Sequence, residues 1–267
     1  MMEPTYEITA VRYARSDGRR QTQNFLYADD HDGEVSPLDF YIFVAQGGGR
    51  TFVIDTGFDP ESGAQKNRAA IRSPVDALKS VGIDASSVED VILTHMHWDH
   101  AGGMRYFPKA RFHIQDAEME FCTGRCMCHS VFRKPFNVEH VVYAVRALFD
   151  DRLVFHDGDY TLAPGITVHR IGGHTPGLQV LRIRTKRGHV VLAGDAAHFW
   201  ENLRKRAPFP VVADLSATLE GYGKLERLAD SADHIIPGHD PLLLESFPKH
   251  TLDDQSARVD LPLLRLN

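Results

Sequence analysis

The segment Thr94-His95-Met96-His97-Trp98-Asp99-His100 places four metal-binding side chains within six residues, directly after the apolar run Val91-Ile92-Leu93. A strand that ends in a tight loop can direct the first two histidines at one point and the Asp and the last His at a neighbouring point. Neutral imidazole and carboxylate are the ligands that borderline metals such as zinc prefer. A surface His/Asp cluster is the plainer interpretation, but the H-x-H-x-D-H spacing favours a metal site.

Three further residues of metal-ligand type follow, each where an apolar, β-like run meets a Gly or Pro turn. His174 lies in Gly-Gly-His-Thr-Pro-Gly, Asp195 ends Leu-Ala-Gly-Asp, and His239 lies in Pro-Gly-His-Asp. One such residue would more often be an ordinary turn or core residue. Three of them at strand ends predict that several strands converge on one site.

The ordered set of seven residues resembles the metallo-β-lactamase-fold hydrolases, and within these it is most similar to the quorum-quenching N-acyl homoserine lactonases. The set is His95, His97, Asp99, His100, His174, Asp195 and His239. The resemblance runs from about Leu38 to about Pro248. It implies an α/β fold, the four-layer αβ/βα sandwich, as one domain over 1–267, with the metals at one edge of two facing sheets.

The resemblance also implies a role for each residue of the set. His95, His97 and His174 would hold one metal, Asp99, His100 and His239 would hold the second, and Asp195 would bridge them. The cofactors would be two divalent ions, Zn²⁺ first, although the same ligands accept Mn, Fe or Co. Asp99 could be a ligand, a proton shuttle or both. Asp55, in Ile-Asp-Thr-Gly, would accept a hydrogen bond from a ligand imidazole, and it fits a simple turn residue equally well.

This ligand set predicts a hydrolase that opens an N-acyl homoserine lactone or a related cyclic ester by attack of a hydroxide bridging two metals. One alternative is hydrolysis of another small cyclic ester or amide, aromatic or anionic. Further alternatives are an enzyme similar to the mononuclear iron persulfide dioxygenases and a non-catalytic metal sensor.

The residues around position 198 bear on the substrate. His198 stands where the acyl homoserine lactonases have a Tyr that contacts the lactone, so it is either a catalytic donor or a polar wall residue. Phe199 and Trp200 could form an apolar pocket wall, although core packing is as common for such residues. Arg204 begins a basic triplet that is either a solvated turn or, folded over the pocket, a site for a carboxylate.

Three cysteines fall within seven residues: Cys122, Cys126 and Cys128. The following His129 makes a structural metal or an oxidant sensor conceivable in a cytosolic chain. Free thiols are the interpretation that the spacing favours, because it matches none of the usual zinc patterns.

Composition restricts the partners. The net charge of −6 over 267 residues provides no electrostatic footprint for nucleic acid. No run of eighteen apolar residues occurs, and the start lacks a signal-peptide pattern, so we expect a cytoplasmic protein with no membrane partner. The expected partner is a small cyclic ester.

Turn and helix signals outline the chain. The apolar runs at 40–44 and 51–54, separated by Gly47-Gly48-Gly49, predict a hairpin. Ser73-Pro74 predicts a helix start. Helical spacing marks 138–149, inside an expected covering insertion at about 115–150, and a further helix over 215–228. We expect 251–267 to be a tail that could order at a second subunit of a homodimer.

Overall fold

The computed structural model describes residues 3–27, 33–66, 68 and 70–264. Strands and helices alternate along most of this chain. The strands are β1 (Glu7–Ser16), β2 (Leu38–Gly47), β3 (Arg50–Ile54), β4 (Asp90–Ile92), β5 (Arg111–Gln115), β6 (Leu153–His156), β7 (Tyr160–Ala163), β8 (Ile166–Arg170), β9 (Gln179–Thr185), β10 (Gly188–Gly194), β11 (Ile235–Pro237), β12 (Lys249–His250) and β13 (Asp253–Arg258). The helices are α1 (Pro60–Gln65), α2 (Pro74–Ser80), α3 (Trp98–Ala101), α4 (Asp116–Thr123), α5 (Ser130–Arg133), α6 (Val138–Phe149), α7 (Trp200–Lys205), α8 (Leu215–Leu228) and α9 (Leu243–Ser246).

The strands of the described residues form two sheets. The larger sheet has the order β12-β13-β1-β2-β3-β4-β5-β6, and the smaller has the order β11-β10-β9-β8-β7. In the larger sheet β3, β4, β5 and β6 run parallel, with Val53 opposite Val91 and Val91 opposite Phe112. In the smaller sheet β10 and β11 are parallel. Parallel neighbours end at the same edge, which is where side chains that follow these strands can meet.

Three apolar cores separate four layers. One core lies between the larger sheet and the helices outside it, and includes Leu78 and Ala144. The second lies between the two sheets, where Phe52 of one sheet joins Ile183 of the other. The third packs Tyr222 of α8 onto the smaller sheet. The predicted α/β class and αβ/βα sandwich are confirmed.

The local predictions hold because their turn and cap residues act as expected. Gly48 and Gly49 adopt φ values of 58° and 73°, which suit glycine and allow β2 to turn directly into β3. Ser73 caps α2 by accepting a hydrogen bond from the Asp76 amide. The helices predicted over 138–149 and 215–228 are α6 and α8.

The chain end is built into the fold where we expected a tail. β13 pairs antiparallel with β1, with Ala257 opposite Ala10. Ser256 and Ala257 are fully buried, so pairing with β1 orders this stretch within the chain itself. Residues 265–267 of the expected tail lie outside the described residues. The helices α4, α5 and α6 occupy the range of the expected insertion.

Candidate metal centre

All seven candidate ligands lie at the edge where the parallel strands end. His95 follows β4, and the next three candidates belong to the loop and the short helix α3. His174 follows β8, Asp195 follows β10, and His239 follows β11. Buried strands hold these loops in place, so residues far apart in sequence meet at one point.

One group consists of His95, His97 and His174, all buried. His174 Nε2 lies 3.1 Å from His95 Nε2 and 2.8 Å from His97 Nδ1. Burial, followed by the charges of neighbouring histidines, holds the pKa of His95 well below its ordinary value, and burial is also the main cause of the low pKa of His97 and His174. Three neutral imidazoles therefore present nitrogen atoms to a common point.

A second group consists of Asp99, His100 and His239. Asp99 Oδ2 lies 3.7 Å from His100 Nε2 and 4.0 Å from His239 Nε2. Asp195 stands between the groups and faces each with a different oxygen. Its Oδ2 is 3.3 Å from His174 Nε2, whereas its Oδ1 is 3.3 Å from His100 Nε2 and 3.0 Å from His239 Nε2.

Acceptors outside the site fix which nitrogen of each imidazole faces inward. His174 Nδ1 lies 2.6 Å from the Val211 carbonyl oxygen, and His239 Nδ1 lies 2.7 Å from the Asp39 carbonyl oxygen. A carbonyl oxygen can only accept, so both Nδ1 atoms donate. This leaves the Nε2 lone pairs of these histidines free for a metal.

Asp55 has the same function for His100. Its Oδ2 is 2.7 Å from His100 Nδ1, and its carboxylate also accepts hydrogen bonds from the amide and the hydroxyl of Thr94. Thr94 Oγ1 in turn lies 3.1 Å from His95 Nδ1. Asp55 adopts φ 62°, a left-handed conformation that Asp tolerates better than most residues. Of the two interpretations of Asp55, the geometry favours contact with the imidazole of a candidate ligand, His100.

Glu118 of α4 joins the two loops that carry the first group. It is fully buried, and its carboxylate accepts hydrogen bonds from the Met96 amide at 2.9 Å and the Thr175 hydroxyl at 2.6 Å. Burial raises the pKa of Glu118 to about 7, although these hydrogen bonds act to lower it. A Cβ at Gly177 would lie 2.3 Å from the Glu118 amide, so glycine is needed for this close approach.

Among the buried side-chain atoms that lack a hydrogen-bond partner in the described residues are His100 Nε2 and Asp195 Oδ1, both at the centre. Burying polar atoms without partners is costly. Both point at the space between the two groups, and both are atoms that bind divalent ions. The residues therefore fit a metal, and four overlapping groups of His and Asp can each hold an ion.

Asp99 and His198 border this space. The Asp99 side chain is 14% exposed, more than those of His100 or Asp195. His198 Nε2 lies 2.9 Å from Asp195 Oδ2, and the His198 ring stacks on Phe209 with centroids 3.4 Å apart. Burial lowers the His198 pKa to about 3 even though Asp195 opposes this shift.

A cavity of about 710 Å³ opens above the centre. The candidates Asp99, His198, His97, His174 and Asp195 line it, together with His239. The insertion contributes apolar residues to its wall: Phe121, Val131, Phe132 and Pro135. This volume suits a small organic ligand.

The other expected pocket residues lie elsewhere. Phe199 and Trp200 are not in the cavity lining. Phe199 belongs to the core, while the Trp200 indole donates to the Ile235 carbonyl oxygen and packs near Phe247. Arg204 likewise does not line the cavity. The structure therefore supports core packing for Phe199 and Trp200, and it places Arg204 at the exposed end of helix α7 rather than in a turn.

None of the three cysteines is among the residues that line the cavity. Cys122 is buried, and burial raises its pKa to about 12. Cys128 is exposed. Among the described residues, no group of potential metal ligands includes a cysteine, in agreement with free thiols.

The sequence did not identify several residues that act on the site. Glu118 carries no motif, because a single acidic residue in the first turn of a helix is common. The carbonyl groups of Asp39 and Val211 are invisible in a sequence. The basic residues of the cavity wall, Arg19, Lys66, Arg68 and Lys134, are distributed over three segments with no shared pattern.

Comparison with known proteins identifies the class. The family model of the metallo-beta-lactamase superfamily matches residues 39–241, most of the chain. The chain belongs to the metallo-β-lactamase superfamily. It is 30% identical over 168 residues to an N-acyl homoserine lactonase of Bacillus thuringiensis, covering 62% of this chain and 61% of that protein. It is 31% identical over 180 residues to the N-acyl homoserine lactonase AttM of Azorhizobium caulinodans, covering 66% of each. The match thus spans about three-fifths to two-thirds of these relatives.

Solved structures share the fold. A quorum-quenching N-acyl homoserine lactone lactonase superposes with a TM-score of 0.70 at 23% identity, covering 90% of this chain and 94% of that one. AidC, a dizinc quorum-quenching lactonase in complex with a product, superposes with a TM-score of 0.67 at 19% identity and covers 90% of both chains. Within the described residues, every helix is too short or too polar to cross a membrane.

Proposed function

We propose that the chain is a metal-dependent hydrolase that opens a lactone, either an N-acyl homoserine lactone or a related small cyclic ester. One observation carries the proposal: the imidazoles of His95, His97 and His174 converge with both oxygens of Asp195 at the base of a cavity. The similarity to N-acyl homoserine lactonases supports the choice of a cyclic ester.

Two ligand sets would hold the ions. His95, His97 and His174 form one set, and Asp99, His100 and His239 form the other, with Asp195 contributing one oxygen to each. Zinc fits this combination of nitrogen and oxygen ligands, as do Mn, Fe and Co. When bound, such ions lower the pKa of a water molecule and polarise the ester carbonyl.

The protein side chains position the substrate and move the proton. Asp99 is the carboxylate of the site most open to the cavity, so it can accept a proton from water and pass it to the leaving alkoxide. His198 donates to Asp195 and keeps that carboxylate oriented between the two groups. Trp98 and Phe121 provide an apolar wall that excludes bulk water from the ring.

The alternatives explain less of the site. A single-iron enzyme similar to persulfide dioxygenases needs only one ligand set, whereas two sets share Asp195 here. A non-catalytic sensor does not require a cavity that opens directly onto the ligands.

The test is hydrolysis by the purified, metal-quantified protein across a panel of ring compounds. The panel contains acyl homoserine lactones of several chain lengths, γ- and δ-lactones, aromatic lactones, cyclic amides and a β-lactam. We expect metal-dependent ring opening of at least one lactone, lost on chelation and restored by Zn²⁺ or Mn²⁺. No lactone turnover by the metal-loaded protein would overturn the proposal.

His198→Tyr tests the substrate preference separately. If position 198 contacts the lactone, this change alters kcat/KM for acyl homoserine lactones while the metal content stays constant. Unchanged kinetics on every chain length would show that His198 takes no part in substrate choice.

A further inference from the structure

The cavity wall opposite the metal centre is basic although the whole chain is acidic. Arg19, Lys66, Arg68 and Lys134 line the cavity. Within the part of the chain that the structure describes, the acidic residues that line it are Asp99 and Asp195, which both belong to the candidate metal centre. The chain as a whole carries a net charge of −6, so this concentration of cations is local.

Arg19 is held in place by uncharged groups. Its Nε donates to Asn24 Oδ1 at 2.8 Å, and one Nη donates to the Gln23 carbonyl oxygen at 2.6 Å. Asn24 is fully buried and is itself fixed by hydrogen bonds from its amide to the carbonyl and hydroxyl oxygens of Ser36. The guanidinium is therefore oriented before any ligand binds.

The charges around Arg19 oppose one another. Burial, and next the positive charge of Arg68, lower the Arg19 pKa to about 10, while Asp99 and Asp195 act in the opposite direction. The two guanidinium groups are thus close enough to repel each other, and Arg19 is within electrostatic reach of the metal centre. Both guanidinium groups line the same cavity, and the N–H fork of a guanidinium matches the two oxygens of a carboxylate.

The two lysines extend the same wall. Lys66, next to the end of α1, donates to the Lys134 carbonyl oxygen at 2.7 Å. This bond joins the segment after α1 to the end of α5. Its acceptor is uncharged, so it does not neutralise the Lys66 ammonium group at the cavity. Positive charge therefore lines the wall on the side of α1 and α5.

We propose that the substrate is a carboxylate-bearing cyclic ester, with its carboxylate bound by Arg19 and Arg68 and its ring ester at the metal centre. This inference rests on the proposed lactone hydrolysis and specifies its substrate class. The basic wall contributes binding and orientation, and it takes no part in the bond-breaking step.

Binding is tested with two ligands that contain no ester, using isothermal titration calorimetry on the metal-loaded protein. The ligands are tetrahydrofuran-2-carboxylate and its carboxamide, which differ only in the charged group. Charge-assisted hydrogen bonds predict that the carboxylate binds about tenfold more tightly or better, and that the preference shrinks at high salt. Equal affinities, or no measurable binding of the carboxylate, would overturn the inference.

Matched variants assign the preference to the basic wall. Arg19→Gln and Arg68→Gln should each reduce it severalfold, and Arg19→Lys should retain part of it. Arg146→Gln removes the same charge from the exposed side of α6, outside the cavity lining, and should leave the preference intact. If the double variant Arg19→Gln/Arg68→Gln keeps the preference, the carboxylate binds at the metals and the inference fails. Circular dichroism verifies that each variant is folded.

Kinetics separate this inference from the proposed function. The substrates are 5-oxotetrahydrofuran-2-carboxylate and its carboxamide, two γ-lactones with the same ring. We expect the carboxylate to have the lower KM, with Arg19→Gln raising its KM and leaving that of the carboxamide unchanged. Turnover of both lactones with equal KM values would support the proposed lactonase function and contradict the proposed carboxylate site. If the ester-free carboxylate binds in an Arg19-dependent way but no lactone is hydrolysed, the carboxylate site is supported and the lactonase function is contradicted.

Discussion

Two His/Asp clusters lie along β4, and only one of them fits a metal. At the start of the strand, Asp90 Oδ1 lies 3.1 Å from His113 Nε2, and His113 Nδ1 lies 3.0 Å from His156 Nε2. Arg50 and Arg111 complete this cluster with ion pairs to Asp90 at 2.6 and 2.8 Å. We call these five residues the arginine-paired cluster. At the other end of the strand stands the candidate metal centre.

The difference lies in where the free lone pairs point. Both nitrogens of His113 are engaged by a neighbouring side chain, and two guanidinium groups neutralise Asp90. In the candidate metal centre, groups behind His100, His174 and His239 engage the outer Nδ1 atoms and leave the Nε2 atoms facing the centre. A His/Asp cluster thus becomes a metal site when its outer partners leave the inner lone pairs without protons.

The largest effect on activity is expected from a substitution that disrupts the candidate metal centre and leaves the arginine-paired cluster intact. His97→Ala removes one of three converging nitrogens. Activity should fall by more than the roughly 10–100-fold seen when an outer partner of a ligand is lost. Metal content per chain, measured by plasma mass spectrometry, should fall with it. His113→Ala is the matched control in the arginine-paired cluster and should keep its metal. Full metal content and activity in His97→Ala would contradict the ligand assignment.

The second prediction concerns a residue behind the candidate ligands, Glu118, and its contribution to metal affinity. Glu118→Gln keeps the shape but replaces one of the two accepting oxygens with an NH₂, which then faces either the Met96 amide or the Thr175 hydroxyl as donor against donor. We expect metal affinity to fall by about 10–100-fold, measured by competition with a chromogenic chelator. Glu120→Gln, on the exposed side of the same helix, should change nothing. Equal affinity in both variants would limit Glu118 to a role in packing.

Sequence predicted the candidate ligands better than their surroundings, and the comparison shows why. Ligand residues carry a spacing that strands and loops impose, as in His95 to His100. His113 and His156 show no such spacing, and their pairing depends on the alignment of β5 with β6. The basic wall depends on how loops from distant segments pack, which no local pattern encodes. The hairpin and α6 were predictable because glycine turns and apolar periodicity act locally, whereas β13 was missed because its buried face includes Ser256.

The third prediction concerns the stability lost when the arginine-paired cluster is disrupted. Asp90→Asn leaves two arginines without their carboxylate and should lower the free energy of unfolding by about 2 kcal/mol or more at pH 7. Burial raises the Asp90 pKa, but His113, Arg50 and Arg111 outweigh burial and hold it below its usual range. The stabilisation is therefore present above about pH 4 and is lost as pH falls through the lowered pKa.

Urea unfolding at pH 7 and at pH 3 measures this contribution. The difference between Asp90→Asn and the parent chain should shrink at the lower pH. Metal content at pH 7 should match the parent chain, because the cluster lies apart from the candidate ligands. A fall in metal content at unchanged stability would mean that the two clusters are coupled through β4.

The smallest expected loss of stability comes from breaking an ion pair that contains no histidine. This pair shows how much a charge pair stabilises the fold without an imidazole. Asp253 of β13 pairs with Arg72 at 2.7 Å. Burial acts against ionisation, but the hydrogen bonds from Arg72, Ser256 and the Gln255 amide together outweigh it and lower the Asp253 pKa to about 2. Because the folded value lies below the ordinary one, the stabilisation is present above about pH 4 and fades towards pH 2. Asp253→Asn should cost about 1–2 kcal/mol at pH 7 and less at pH 3. The exposed neighbour variant Asp254→Asn should cost nothing at either pH, and an equal cost in both variants would show that general charge, rather than this pair, fastens β13 to the sheet.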